Sequence, residues 1–149
     1  MQIHLNGSNS ISASRDRVFT LLTDPNFLAN TLPDAEDVRV LDETSLEAKI
    51  KLRLSVVSNT LRVRLSVAET TTPSRAKLLA EGTGSGSSMK ITSTFNLEGD
   101  RPTTMSWTAE AEITGVMAGL GSTILRGFAT RKVAEIFVSI TRAVETSSG

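Results

Sequence analysis

Cysteine is absent from the 149 residues, and so is tyrosine; histidine and tryptophan occur once each. The first absence removes disulfides, thiol nucleophiles, iron–sulfur clusters and thiolate zinc sites together, and it leaves the compartment undetermined by redox logic. Without tyrosine there is no phenolic acid, and a single histidine cannot build the His/carboxylate clusters that hold catalytic metals. No cofactor is expected. Net charge is absent too, since sixteen basic and sixteen acidic residues cancel. Whole-molecule charge therefore argues for neither nucleic acid nor an anionic membrane as a partner, and no nucleic acid is expected. No stretch reaches the ~18 uninterrupted apolar residues of a membrane span, because Arg126, Arg131, Lys132 and Glu135 interrupt the last apolar segment. The N-terminus, MQIHLNGSNSI, lacks a basic-then-apolar leader, so a cytoplasmic location is the expectation.

What is present is alternation. In SLEAKIKLRLSVV, Leu46, Ala48, Ile50, Leu52, Leu54 and Val56 alternate with Glu47, Lys49, Lys51, Arg53 and Ser55; in LRVRLSVAE, Leu61, Val63, Leu65 and Val67 alternate with Arg62, Arg64 and Ser66. A period of two means one buried and one solvated face, and Ser58–Asn59 between the runs predicts a hairpin turn. Weaker copies follow around Ala76–Gly84, Met89–Leu97 and Met105–Ile113, separated by the breaks GSGSS and EGDRP. Met1, Ile3 and Leu5 start a first strand, and Val38 and Val40 mark a short one. Helical spacing takes over in SASRDRVFTLL and in DPNFLANTL, where Asp24 is the expected N-cap and Pro25 the first helical residue. The last segment repeats apolar residues at helical spacing from Met117 to Val144. These elements predict an α+β chain of the helix-grip type. A six- or seven-stranded antiparallel sheet wraps around one long C-terminal helix, and two short helices follow the first strand. Residues 1–146 form a single domain in this reading, with 147–149 as a loose tail.

Chemistry is sparse. His4 alternates to the side opposite Ile3 and Leu5, so it faces solvent rather than acting as a base. The glycines of GTGSG precede neither a helix nor a Gly-Lys-Ser/Thr, which favours a hairpin over a phosphate loop. Asp34, Glu36 and Asp37 read as a solvated loop after Pro33. The inward row is more informative, because its later members are small: Ala80, Gly82, Gly84, Ser93, Ala109 and Ala111. Opposite them comes GVMAGLGSTIL, with glycine at 115, 119 and 121, although each glycine in a helix costs roughly 1 kcal/mol against alanine. Small facing small gives either close backbone packing or an apolar cavity under a movable lid. On the cavity reading, Leu22, Phe27, Leu28, Leu32, Phe95, Trp107, Ala109, Met117, Leu120, Ile124 and Phe128 line the ligand site, and Gly115, Gly119 and Gly121 form its gate. Trp107 then reports on binding. With the turn at Ser58–Asn59, Arg53 lies opposite Arg64 and is flanked by Lys49, Lys51 and Arg62. Such like-charge opposition makes these five residues a candidate partner-binding face.

Three pieces, DPNFLANTLPDAEDV, AEGTGSGSSMKI and WTAEAEITGVMAGLGSTIL, resemble the carbon monoxide dehydrogenase G-subunit (CoxG) family of the START-like, polyketide-cyclase-like superfamily. One departure stands inside the first piece, where the family's usual CLPGC reads TLPDA, with Thr31, Asp34 and Ala35 replacing Cys, Gly and Cys. The resemblance implies association with a molybdenum hydroxylase of the CO dehydrogenase type. It also implies a quinone-like or lipidic ligand, or peripheral contact with the inner face of the membrane. Three functions follow as expectations. The first is a non-enzymatic module holding an apolar quinone-like, isoprenoid or acyl-chain ligand, as carrier or membrane adaptor. The second is an interaction or maturation factor docking on such an enzyme through the basic sheet face. The third is an enzyme of the cyclase or hydratase kind.

Overall fold

A computed structural model describes residues 1–54 and 57–146. In these the elements run β1 (Gln2–Ile11), α1 (Arg15–Leu22), α2 (Pro25–Ala29), β2 (Ala35–Val40), β3 (Ser45–Leu54), β4 (Val57–Thr71), β5 (Arg75–Gly84), β6 (Ser87–Gly99), β7 (Thr103–Gly115), a 3-10 turn (Val116–Leu120) and α3 (Ser122–Thr146). All seven strands join one antiparallel sheet in the order β1-β7-β6-β5-β4-β3-β2. From β2 to β7 each strand pairs with its successor. β1 closes the other side by pairing along β7, from Gln2 with Glu112 to Ile11 with Thr103.

Local chemistry explains the short elements. Ser14 caps α1 by accepting from the Arg17 amide, and Asp24 caps α2 by accepting from Asn26, with Pro25 in the first turn where its missing N–H costs nothing. Ser85 and Gly86 both take positive φ, 52° and 75°, between the paired Gly84 and Ser87. This is the two-residue reversal that suits strand twist, so GTGSG is a strand end and a turn.

The first hairpin pairs differently from the expectation. Ser58 and Asn59 lie within β4, opposite Arg53 and Leu52. Leu54 pairs with Val57, and the expected strand positions Ser55 and Val56 and the tail 147–149 lie outside the described residues. The slip is even, so no side chain changes face, and Ile50 meets Leu61 while Ala48 meets Val63. Arg64 consequently lies opposite Glu47, not Arg53, with Glu81 on its other side.

One sheet face carries the core, in two clusters. Val18, Phe19, Leu22 and Leu28 of the short helices pack with Phe95, Leu97 and Met105 of the sheet and with Ile140 and Val144 of α3. The second cluster joins Ile3, Leu61, Val63 and Ile113 to Met117 and Leu125. Each fully buried aliphatic side chain contributes about 1.5–3 kcal/mol, and α3 spans both clusters.

The helix begins later than its apolar spacing suggests. Gly115 (φ 89°, ψ −151°) and Gly121 (φ 93°, ψ 156°) occupy a region open in practice to glycine alone, so the helix cannot run through residue 121. At Gly115 an added Cβ would also collide with the Gly86 carbonyl oxygen. These glycines build a turn and do not weaken a helix start. Gly119 is different: its φ is not positive, and a Cβ there would meet nothing within 4 Å. Gly119→Ala should therefore raise stability by about 0.4–1 kcal/mol, whereas Gly121→Ala should lower it by about 1–3 kcal/mol. Urea unfolding of the two variants checks this, and equal shifts of one sign would contradict the backbone assignment.

Candidate functional site

Between the sheet and the first half of α3 lies a cavity of about 250 Å³. The β3–β4 hairpin supplies Leu46, Ala48, Ile50, Leu52, Leu61, Val63 and Leu65 to its wall. Small or flexible residues of the later strands, including Ala80, Met89, Ala109 and Ala111, form the floor. Met117 closes one end, and α3 covers the top with Leu125, Phe128, Ala129, Lys132, Val133 and Ile136. Leu32 and Pro33, from the loop after α2, complete the wall. A void of this size has a physical cause: alanines stand at four sheet positions where the helix is held off by larger neighbours.

Of the expected lining, Leu32, Ala109, Met117 and Phe128 are brought together here. Leu22, Leu28 and Phe95 are instead closed into the solid cluster at the other end, with Phe27 and Trp107 packed against it. Trp107 stacks on Phe137 with ring centroids 4.8 Å apart and donates from Nε1 to Asn9 Oδ1 at 3.2 Å. It faces inward as its parity requires, but lies outside the cavity wall. Leu120 packs against the second cluster, and Ile124 is 45% exposed, because the turn at Gly121 rotates α3 away from the phase that continuous helical spacing implied. Of the three glycines expected to form a gate, Gly115 and Gly121 bracket the turn that carries Met117. The aliphatic residues of the first hairpin were missed as lining, since their size suggested that they fill the core. Only the stand-off of α3 turns them into a wall.

Lys132 is the one charged residue in that wall among the described residues. Its ammonium donates to Asp34 Oδ2 at 2.6 Å and to Glu135 Oε2 at 2.9 Å, and lies 5.7 Å from the centre of the Phe128 ring. Asp34 sits at φ 61°, in the left-handed region that asparagine and aspartate enter more readily than other side chains. Ser139 adds a second tie between α3 and this loop by donating to the Thr31 carbonyl at 2.8 Å. Burial works against the charge on Lys132, but the hydrogen bonds to Asp34 and Glu135 outweigh it and hold its pKa above the ordinary lysine value of 10.5.

The sheet's outer face also departs from expectation. Lys49 pairs with Asp37 at 3.4 Å, Lys51 with Glu36 at 3.2 Å, and Arg62 with Glu47 at 3.3 Å. Glu36 and Asp37 thus belong to the edge strand β2, not to a loop. The supposed opposition of Arg53 and Arg64 does not occur, so the like-charge argument for a partner-binding face falls away. His4 is exposed and sits 3.6 Å from Glu110 across the strand pair. Among the described residues no group of three His, Asp or Glu side chains could hold a metal ion, and no helix is long and apolar enough to cross a membrane.

A seven-stranded antiparallel sheet, a long C-terminal helix and two short helices after the first strand define the START-like helix-grip class, and an apolar cavity beneath the helix is the feature of a ligand-binding module. The chain belongs to the carbon monoxide dehydrogenase G-subunit (CoxG) family, whose model matches residues 7–145. Among solved structures it is similar to a conserved protein from Geobacillus kaustophilus, with a TM-score of 0.87, 22% identity and 97% of each chain covered. A START superfamily protein from Mycobacterium smegmatis matches with a TM-score of 0.71 and 11% identity, covering 97% of this chain and 99% of that one. The Zhui aromatase/cyclase from Streptomyces sp. R1128 matches with a TM-score of 0.69 and 14% identity, covering 97% and 94%. No curated protein matches the sequence significantly.

The raised Lys132 pKa fixes a sign. A lysine stabilised in the folded state contributes its full stability below the unfolded value near 10.5 and loses it as pH rises through the folded value. The stability difference between the wild type and Lys132→Met should therefore hold steady at neutral pH and shrink above about pH 10.5. Urea midpoints across that range test it; two parallel curves would mean that the ion pair contributes nothing.

Proposed function

We propose that this protein is a non-enzymatic binding module that holds an apolar ligand between the sheet and α3. In this reading it acts as a carrier or membrane adaptor for a molybdenum hydroxylase of the CO dehydrogenase type. The ligand is an acyl chain, an isoprenoid or a quinone-like ring. The observation that carries the reading is the cavity itself, about 250 Å³ of space walled by apolar side chains and the stem of one lysine. Left empty, such a void forfeits dispersion contacts on the order of several kcal/mol, a large share of the ~5–15 kcal/mol that keeps a domain folded. Apolar voids of roughly 150 Å³ already bind benzene and stay free of water, so an apolar occupant is favoured over solvent. The volume lies just below the ~300–1,000 Å³ common for small-molecule pockets. A long isoprenoid would therefore extend past the cavity or displace the 116–121 turn, which is where Gly115, Gly119 and Gly121 would serve as a gate. Membership of the CoxG family supports the enzyme partner, and the family and cavity together support peripheral membrane delivery.

Catalysis of the cyclase kind finds less support in the wall, where Lys132 already engages two carboxylates and no second ionisable residue lines the cavity among the described residues. The interaction-factor reading has lost the opposition of Arg53 and Arg64 on which it drew, and Lys49, Lys51 and Arg62 of the same row are engaged by carboxylates.

Toluene provides a direct test. Wild-type protein should take it up, seen as shifts of methyl resonances from Ile50, Leu61, Val63 and Ile113. Ala111→Leu should abolish the uptake while raising stability by about 0.5–2 kcal/mol, as cavity filling does. Absence of uptake by the wild type, or a loss of about 1–3 kcal/mol from overpacking in the variant, would mean that the space is not available to a ligand. Native mass spectrometry of protein purified from cells would then identify what occupies it in vivo.

A further inference from the structure

Lys132 stands on a boundary. Its side chain is 21% exposed, whereas the carboxylates that hold its ammonium, Asp34 and Glu135, are 50% and 56% exposed. Its stem lines the cavity beside Leu32, Pro33 and Phe128, as long basic side chains lay hydrocarbon on apolar surface and keep their charge in water. At the seam between the loop after α2 and α3, the cavity therefore comes within one side chain of solvent.

This seam is also where the wall gives way most easily. Leu32 and Pro33 are half-buried and belong to residues 30–34, between α2 and β2, outside any helix or strand. Segments of that kind open at less cost than paired strands. The 116–121 turn is fastened harder. Met117 is 2% exposed, its amide donates to Ser87 Oγ at 2.9 Å, and the Val116 amide reaches the Gly86 carbonyl at 3.1 Å. Two bonds tie the 30–34 loop to α3: Lys132 donates to Asp34 at 2.6 Å, and Ser139 to the Thr31 carbonyl at 2.8 Å. Of these, the Lys132 bond lies at the cavity. Glu135 stands on α3 itself, so its bond to Lys132 at 2.9 Å does not cross the seam.

We propose that apolar ligands enter and leave between the 30–34 loop and α3, and that the Lys132–Asp34 ion pair is the latch across this portal. This rests on the binding-module reading and adds the route that a ligand takes. The latch is closed whether the cavity is empty or filled. Loosening it therefore lowers the barrier from both sides, and speeds entry and release by one factor without changing affinity.

Toluene exchange with the full chain, followed by magnetisation transfer between free and bound resonances, tests the latch. Asp34→Asn removes the loop's charge and keeps a residue that tolerates the left-handed backbone. It should raise both rates about two- to fivefold, the range of a partly exposed ion pair, with the dissociation constant unchanged. Lys132→Met keeps an apolar stem and should raise both rates as well. Glu135→Gln removes an equal charge that does not cross the seam, and should not speed exchange. Added salt screens the pair, so it should accelerate the wild type and affect Asp34→Asn much less. Wild-type rates in either Asp34→Asn or Lys132→Met, or equal acceleration by Glu135→Gln, would overturn the latch. Acceleration by Gly121→Ala but not by Asp34→Asn would move the portal to the 116–121 turn. Failure of the wild type to take up toluene would instead remove the binding-module reading on which the proposal rests.

Discussion

An antiparallel sheet with one apolar face cannot stand alone in water, and α3 (Ser122–Thr146) is the long element that covers it. Everything else in the molecule answers to the distance between that helix and the sheet. At its C-terminal half the helix sits down fully, with Ile140 and Val144 buried among Phe95, Leu97, Met105 and the two short helices. Toward its N-terminus it meets alanines on the floor but long aliphatic side chains at the sides, and cannot close the gap. Close packing at one end and a void at the other follow from the same rigid rod laid across a surface of uneven height.

The N-terminal end of the rod is positioned by backbone geometry. Gly115 and Gly121 take angles that side-chain-bearing residues avoid, and the five residues between them form a tight turn that points Met117 inward. Ser87 accepts the Met117 amide hydrogen bond through its Oγ at 2.9 Å, and the Val116 amide reaches the Gly86 carbonyl at 3.1 Å. The turn is therefore bonded to the β5–β6 hairpin, and an end-cap for the cavity is set by two glycines and a serine.

Among the described residues Lys132 is the one charged residue that lines the cavity, and its ammonium is held by carboxylates. Asp34 takes the left-handed conformation that glycine would adopt without strain. It gives the loop a carboxylate facing Lys132 across the boundary between loop and helix. Exposed ion pairs contribute little, but this one is partly buried and shares its lysine with Glu135, so it ties the loop after α2 to α3. On the outer face the pairs of Lys49, Lys51 and Arg62 are well exposed and serve mainly to neutralise their neighbours.

Most of the strands, the inward and outward rows, the Asp24 N-cap and the helix-grip order were legible in the sequence, because each depends on periodicity or on local hydrogen bonding. Small residues at Ala80, Ala109 and Ala111 announced a cavity as one of two outcomes. Its position was not legible. The register of β3 against β4 depends on a reversal that an even slip leaves invisible to the alternation, since both pairings bury the same side chains. The phase of α3 depends on positive φ at Gly121, which helical spacing alone cannot register, and that phase decided that Phe128 lines the cavity while Ile124 faces water. Trp107 points inward by parity, yet its neighbours are set by where the helix seats, and Phe137 took the place expected of a ligand. Local periodicity determined which face each residue presents; only the tertiary structure decided how far apart two faces stand, because that distance is a sum over side chains remote in the chain.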